Sequence, residues 1–235
     1  MTIHILATGT SRGIGAAIAA SFQSDDVRFV GHSTTGGDAA IAADLDRDGA
    51  AARLWARALE RLDGRIDVLI NNAGIFEATP LDLPDDQWRA AWERTMRINL
   101  TAAAELSRLA VLHFQQSGGG RLINVASRAA YRGDSPAHWH YAASKAGMVA
   151  MTKTVARGYA RDNILAFAVC PGFTMTGMAE DYLSSRGGAA LLADIPLGRV
   201  AEPAEVAATV RFLALEAPPS MTGAALDING ASYVR

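Results

Sequence analysis

The sequence is short of several things, and each shortage closes off a class of function. A single cysteine, Cys170, stands in 235 residues. No disulfide can form within the chain, and a lone thiol suits a reducing compartment. Its setting, at the end of Phe167-Ala168-Val169, reads as a buried strand end and not as a reactive thiol. No apolar run approaches the roughly 18 residues that a membrane span needs. The chain enters a strand-like run, Ile3–Ala7, almost at once, which leaves no signal peptide to expect and points to the cytoplasm. An excess of one charge is missing too: 22 basic and 24 acidic residues give a net charge of −2, with no electrostatic footprint for nucleic acid. Lysine is scarce, with only Lys145 and Lys153 among the basic residues. What is present is ordinary globular composition, 50% hydrophobic and 20% charged, enough for one sizeable core.

Short apolar and β-branched runs alternate with longer helical patterns. The strand candidates are 3–7, 27–31, 40–43, 68–71, 121–125, 165–169 and 225–228. The helix candidates are 13–24, 49–62, 84–116 (interrupted around Asn99), 141–161 and 203–215. Strands alternating with helices predict an α/β fold: a doubly wound parallel sheet with helices on both faces. No repeat, low-complexity tract or linker divides the chain, so 1–235 is expected to be one domain. A methionine-, leucine- and glycine-rich excursion at about 173–198 follows a strand's carboxyl end, where binding loops are common. One connection breaks the rhythm. Only Ser33 to Asp38 separate the second and third strand candidates. Six extended residues reach roughly 20 Å, enough to return along a short strand but without room for a helix. That connection is expected to be non-helical.

The first strand runs into Thr8-Gly9-Thr10-Ser11-Arg12-Gly13-Ile14-Gly15 and then an alanine-rich helix. Glycines there let backbone approach a pyrophosphate, which also gains from the N–H groups and dipole of the helix N-terminus. Four residues apart on a helix, Tyr141 and Lys145 share one face. A free tyrosine, with a pKa near 10, needs a neighbouring cation to act as an acid–base catalyst at neutral pH. Reducing a carbonyl by hydride transfer makes an oxyanion that takes up a proton as it forms, and such a pair could supply it.

The TGxxxGxG spacing resembles the cofactor loop of the short-chain dehydrogenase/reductase family, and further family landmarks follow in order along nearly the whole chain. Asn71-Asn72-Ala73-Gly74 resembles the NNAG that flanks the adenine side of the cofactor. Asn99 resembles the helix asparagine whose backbone leaves the helix ladder and helps hold a water in the proton relay. Ser127 resembles the catalytic serine, and Tyr141-Ala142-Ala143-Ser144-Lys145 resembles YxxxK. Pro171-Gly172, with Thr174 and Thr176, resembles the PGxxxT at the nicotinamide end. Asp44-Leu45 sits where the family places an acid on the adenine amino group. The resemblance is strongest to the 3-oxoacyl-(acyl-carrier-protein) reductase-like members.

The resemblance implies an oxidoreductase acting on a small carbonyl or secondary alcohol. Its catalytic residues would be Asn99, Ser127, Tyr141 and Lys145. Its cofactor contacts would be Gly9, Ser11, Arg12, Gly13, Ile14, Gly15, His32, Ser33, Asp44, Leu45, Asn71, Ala73, Gly74, Tyr141, Lys145, Pro171, Gly172, Thr174 and Thr176. NADP(H) is expected over NAD(H). The second strand ends in His32-Ser33-Thr34-Thr35 with no acid before Asp38, and Arg12 is placed to pair with a 2′-phosphate. The resemblance further implies a homotetramer, and small residues at Ala102-Ala103-Ala104, Ala142-Ala143 and Ala146-Gly147 offer helix faces for contact. His138-Trp139-His140 invites a metal reading, but near-adjacent histidines converge poorly on one ion; they are expected to wall the substrate pocket or cap the long helix, with no metal bound. Ser127 and Tyr141 stand fourteen positions apart, one more than is usual in this branch. Where carrier-using relatives present basic docking residues, this chain has Gly118 and Asp162. Arg128, Arg132 and Arg161 lie near enough in sequence to compensate. A cofactor-binding regulator without chemistry is disfavoured because Ser127, Tyr141 and Lys145 are all kept. A nucleotide-sugar epimerase or dehydratase is disfavoured by the glycine spacing and the chain length.

Overall fold

A computed structural model describes residues 2–24, 26–175 and 188–235. Seven strands form one sheet in the order β3-β2-β1-β4-β5-β6-β7: β1 Ile3–Ala7, β2 Val27–Ser33, β3 Ala40–Ala42, β4 Val68–Asn71, β5 Gly120–Val125, β6 Ile164–Pro171 and β7 Ala225–Ile228. Every pairing is parallel. A parallel sheet needs both faces covered, and the alternation along the strands delivers this. In β1, Ile5 and Ala7 face a core shared with helices α1 (Gly13–Ser21) and the late helix Pro203–Leu215. Leu6 faces the opposite core, built with α2 (Ala50–Arg61) and the long helices beyond it. All eight residues of β6 are buried, as a strand with layers on both sides requires.

The remaining helices are α3 Asp85–Met96, α4 Ala102–Ser117, α5 Ala129–Arg132, α6 Trp139–Tyr159, α7 Gly188–Ala193 and α8 Pro203–Leu215. The interruption expected near Asn99 is a five-residue π-helical turn, Arg97–Thr101, joining α3 to α4. Helix α8 starts where its sequence says it should: Glu202 and Glu205 close a reciprocal capping box, with Pro203 in the first turn. Helix α6 starts two residues ahead of the expected Tyr141, and the short α5 and α7 carry too few residues for a periodic signal. Helix α7 lies within the excursion expected to be irregular.

The connection between β2 and β3 contains no helix, as its length required. Gly37 bridges back to Ala40, and Gly36 and Gly37 take left-handed φ values of 78° and 154°. The strand order reverses direction between β1 and β4. The loops leaving their carboxyl ends therefore diverge and open a crevice, the place where ligands bind in doubly wound sheets. The glycine loop leaves β1 there and Asn72-Ala73-Gly74 leaves β4.

Candidate active site

The glycine loop is built by close backbone approach. Gly9 and Gly13 sit at positive φ, 70° and 54°, which suits glycine. Thr8, at the end of β1, accepts the amides of both Asn72 and Ala73 on its hydroxyl at 3.0 Å. Asn72 in turn donates its side-chain amide to the carbonyls of Thr8 (3.0 Å) and Gly9 (2.9 Å). Thr8 and Asn72 thus join the two loops that border the crevice. Neither was singled out as a site residue from the sequence, although both lie inside the motifs. Ser11 and Arg12 are exposed on the loop, Ile14 packs against the core, and helix α1 begins at Gly13 with no side chain capping it. Open amides at a helix start, a glycine cradle and an exposed guanidinium are a donor set suited to a dinucleotide pyrophosphate.

Other expected cofactor residues behave differently. Asn71 turns away from the crevice. It is 2% exposed and donates to Ser107 (3.1 Å) and Asn124 (2.9 Å), bracing β4 against β5 and α4. His32 and Ser33 are buried as well. Ser33 exchanges hydrogen bonds with Gly36, and His32 faces the glycine loop from behind. Neither side chain reaches outward: the His32 ring bonds Gly9 and Ala43, and the Ser33 hydroxyl is held within the tight β2–β3 turn. Asp44 accepts the Asp46 amide at 3.1 Å and pairs with Arg47 at 3.3 Å, while the Leu45 side chain is in the core. Ala73 and Gly74 lie on the segment that leaves β4 at the crevice. A β-carbon on Gly74 would lie 3.3 Å from the Asn99 side-chain oxygen and 3.5 Å from the Lys145 Nζ. Pro171 ends β6, and Gly172 passes so close to Asn229 that a β-carbon would be 2.8 Å from it. Thr174 donates to the Gly172 carbonyl at 3.3 Å. Thr176 lies outside the described residues.

The catalytic candidates converge. The Ser127 side chain lies close enough to the Tyr141 phenol to lower its pKa, and it accepts the Ala129 amide at 3.1 Å. Lys145, one turn after Tyr141 on α6, is 4% exposed and donates to the Val125 carbonyl at 2.9 Å. Its ammonium lies 5.8 Å from the Tyr141 ring centroid. Asn99 occupies the π turn. Its side chain accepts the Ile75 amide (2.8 Å), donates to the Ile75 carbonyl (2.9 Å) and donates to Ser144 (3.3 Å). It fastens the segment after Gly74 to α6, and the π geometry takes its backbone out of the regular ladder.

Burial sets the electrostatics. It pushes the Tyr141 phenol up to about 12, against the lowering from Ser127, and pulls Lys145 down to about 8. The expected lowering of the phenol by the lysine is therefore not the dominant effect, since desolvation penalises both charged forms. This has a consequence for stability. Below about pH 8 both folded and unfolded chains carry the Lys145 charge, and the folded state bears its full desolvation cost. Between about 8 and the ordinary lysine value of 10.5 the unfolded state binds more protons, so this cost fades as pH rises. Lys145→Met is expected to unfold less readily than wild type at pH 7, by on the order of 1–3 kcal/mol, offset in part by loss of the Val125 bond. The gap should close by pH 10.5. Denaturant melts of both proteins across that range test it, and a variant less stable at pH 7 would refute it.

Aromatic rings wall Tyr141. Phe76 meets Tyr141 edge-on at 4.8 Å and stacks on His138 at 3.9 Å. His140 bonds Thr79 at 2.9 Å, and Trp139 is exposed. His138 and His140 thus have separate partners, with ring centroids 6.4 Å apart. Arg128, next to Ser127, is buried with its guanidinium 4.8 Å over the Phe173 ring and 3.4 Å from Asp194, which Arg132 also binds at 2.7 Å.

A family profile described as Enoyl-(Acyl carrier protein) reductase matches residues 9–231. The chain is similar to a 3-oxoacyl-(acyl-carrier-protein) reductase of Vibrio harveyi, 34% identical with 97% of this chain and 96% of the relative covered. It is similar to the enzyme of that name from Escherichia coli strain K12, 32% identical over 97% and 96%. It is also similar to an acetoacetyl-CoA reductase of Acinetobacter, 35% identical over 91% and 79%.

Proposed function

Because the chain belongs to the short-chain dehydrogenase/reductase family, it is a nicotinamide-dependent oxidoreductase, and we propose that Ser127, Tyr141 and Lys145 carry out its chemistry. The observation that carries this is the Tyr141 phenol set within electrostatic reach of Ser127, with a buried ammonium one turn further on donating to the Val125 carbonyl. When bound, the nicotinamide supplies or accepts the hydride at the carbon of a carbonyl or secondary alcohol. Ser127 holds the substrate oxygen by a hydrogen bond. Tyr141 gives its phenolic proton to that oxygen as negative charge builds there, and in the reverse direction takes it back. Lys145, held by the Val125 carbonyl, stabilises the phenolate and holds the nicotinamide ribose. Asn99 keeps Ile75, and with it the segment that leaves β4, against α6. Gly9, Gly13, Gly15 and the start of α1 take the pyrophosphate.

NADP(H) is the preferred cofactor in this reading. Arg12, Thr34 and Thr35 are exposed at the crevice end of β1 and β2, where a 2′-phosphate would sit, and the first acid after β2 is Asp38. The substrate is a small soluble carbonyl compound and not one presented on acyl carrier protein. Asp162 is exposed and bonded to Gln115 at 2.7 Å, an acidic group where a carrier would need a base. Arg128 and Arg132 are committed to Asp194. One steady-state panel tests both statements: NADPH and NADH, with 3-oxo esters free and carrier-bound, on wild type and Arg12→Ala. NADPH should be favoured, and Arg12→Ala should reduce that preference about tenfold, the size of one charge-assisted contact. An NADH preference, or a hundredfold preference for the carrier-bound ester, would overturn the corresponding statement.

Among the described residues no helix is long and apolar enough to cross a membrane, and a cytoplasmic homotetramer completes the proposal. The partly exposed helix faces of α4 and α6, with Leu112 exposed on α4, support self-association. Light scattering at micromolar concentration should give four times the 24.7 kDa chain mass; a monomeric mass would rule it out.

A further inference from the structure

We propose that His32 is a positioning residue for cofactor binding, a buried clasp that ties the pyrophosphate loop to the adenine-side wall of the crevice. The inference rests on reading the glycine loop as a dinucleotide site.

Three bonds run from this one residue to the first turn of the loop. The Gly9 amide donates to the ring Nδ1 at 3.2 Å, and the Thr10 amide and hydroxyl both donate to the His32 carbonyl, at 2.9 and 3.3 Å. A fourth reaches the other way, from Nε2 to the Ala43 carbonyl at 2.9 Å. Ala43 follows β3 and leads into Asp44-Leu45. The partners fix the tautomer. An amide can only donate, so Nδ1 is the acceptor, and a carbonyl can only accept, so Nε2 carries the proton. Burial lowers the ring's pKa, with the Ala43 carbonyl opposing, so the ring stays neutral, as this arrangement demands.

The clasp matters because of what it holds. Gly9 is gripped through both of its flanking peptides, its N–H by His32 and its carbonyl by the Asn72 side chain. Gly15, the last glycine of the loop, packs directly on that carbonyl. A loop that presents amides to phosphate must have its own amides and carbonyls fixed first, or binding carries the cost of ordering it. In this chain no helix lies between β2 and β3 to buttress the adenine side, and the imidazole spans the gap instead. His32 therefore acts through Gly9 and Ala43, not by touching the cofactor.

Two isosteres separate its bonds. His32→Asn places an oxygen where Nδ1 was, keeping the acceptor for Gly9. His32→Gln places an amide where Nε2 was, keeping the donor to Ala43 alone. His32→Leu removes both. Dissociation constants for NADPH by fluorescence, with kcat at saturating cofactor, give the readout. His32→Leu and His32→Gln should weaken binding about tenfold or more, as expected for a buried amide left without an acceptor. His32→Asn, which frees Ala43 but keeps the acceptor for Gly9, should weaken it less, by about three- to fivefold, and kcat should hold in all three. Wild-type affinity in His32→Leu, equal weakening by Asn and Gln, or a loss confined to kcat would overturn the inference. If His32→Leu does not fold, the Asn-to-Gln comparison decides alone. A wild type that binds no reduced cofactor would instead refute the dinucleotide reading, which keeps the two failures distinct.

Discussion

Tyr141→Phe is expected to lower kcat by about 10²–10⁴-fold, the usual contribution of a positioned acid–base group, while leaving the dissociation constant for NADPH within about threefold of wild type. The reasoning is local. The phenylalanine ring keeps the edge-on contact with Phe76 and the helical position on α6, so the pocket wall stays in place. What is lost is the hydroxyl that faces Ser127. The substrate oxygen would then keep Ser127 as a donor but lose the group that hands it a proton. Because burial holds the phenol near 12, the group is protonated throughout the physiological range and fit to donate in the reducing direction. The oxidising direction needs the phenolate and should speed up as pH rises. Single-turnover reduction by stopped flow isolates the step, and a variant that keeps more than a tenth of the wild-type rate would remove Tyr141 from the acid–base role.

Much of this site is legible from residue order because its parts are local. The loop 8–15, the pair Tyr141 and Lys145 and the break at Asn99 each sit within one or two turns of backbone. The strands were readable for a similar reason: β-branched, uniformly apolar runs such as Ile164–Val169 fit only a sheet covered on both faces. Direction and partnership were not readable. Asn71 and Asn72 are adjacent, and only the three-dimensional register shows that the first braces the sheet while the second joins the two loops. His32 lies 23 residues from the amide it holds, and no spacing rule connects them. The pattern placed Lys145 beside Tyr141 correctly. It carried no information about burial, which sets the direction of both pKa shifts.

Gly15→Ala is expected to abolish cofactor binding at millimolar NADPH and to destabilise the fold by about 1–3 kcal/mol or more, the range for overpacking a close contact. A β-carbon there would overlap the Gly9 carbonyl oxygen and lie 2.6 Å from the Asn72 side-chain nitrogen and 2.8 Å from the Gly9 carbonyl carbon. Two of those three atoms are backbone and cannot rotate aside. Relief requires either helix α1 to move away from the loop or the Gly9–Thr10 peptide to turn, and the second would break the bonds of the Gly9 carbonyl to Asn72 and of the Thr10 amide to the His32 carbonyl. Either movement spoils the cradle where phosphate would sit. Gly158, on the last turn of α6, makes the control. It is also helical, but nothing lies within 4 Å of its would-be β-carbon and its φ is ordinary. Gly158→Ala should therefore leave binding untouched and stabilise the protein by about 0.5–1 kcal/mol through helix propensity and a less free unfolded chain. Fluorescence titration with NADPH and thermal melts of the two variants decide the matter. If Gly15→Ala bound cofactor like Gly158→Ala, close packing of α1 on Gly9 would not be what shapes the loop.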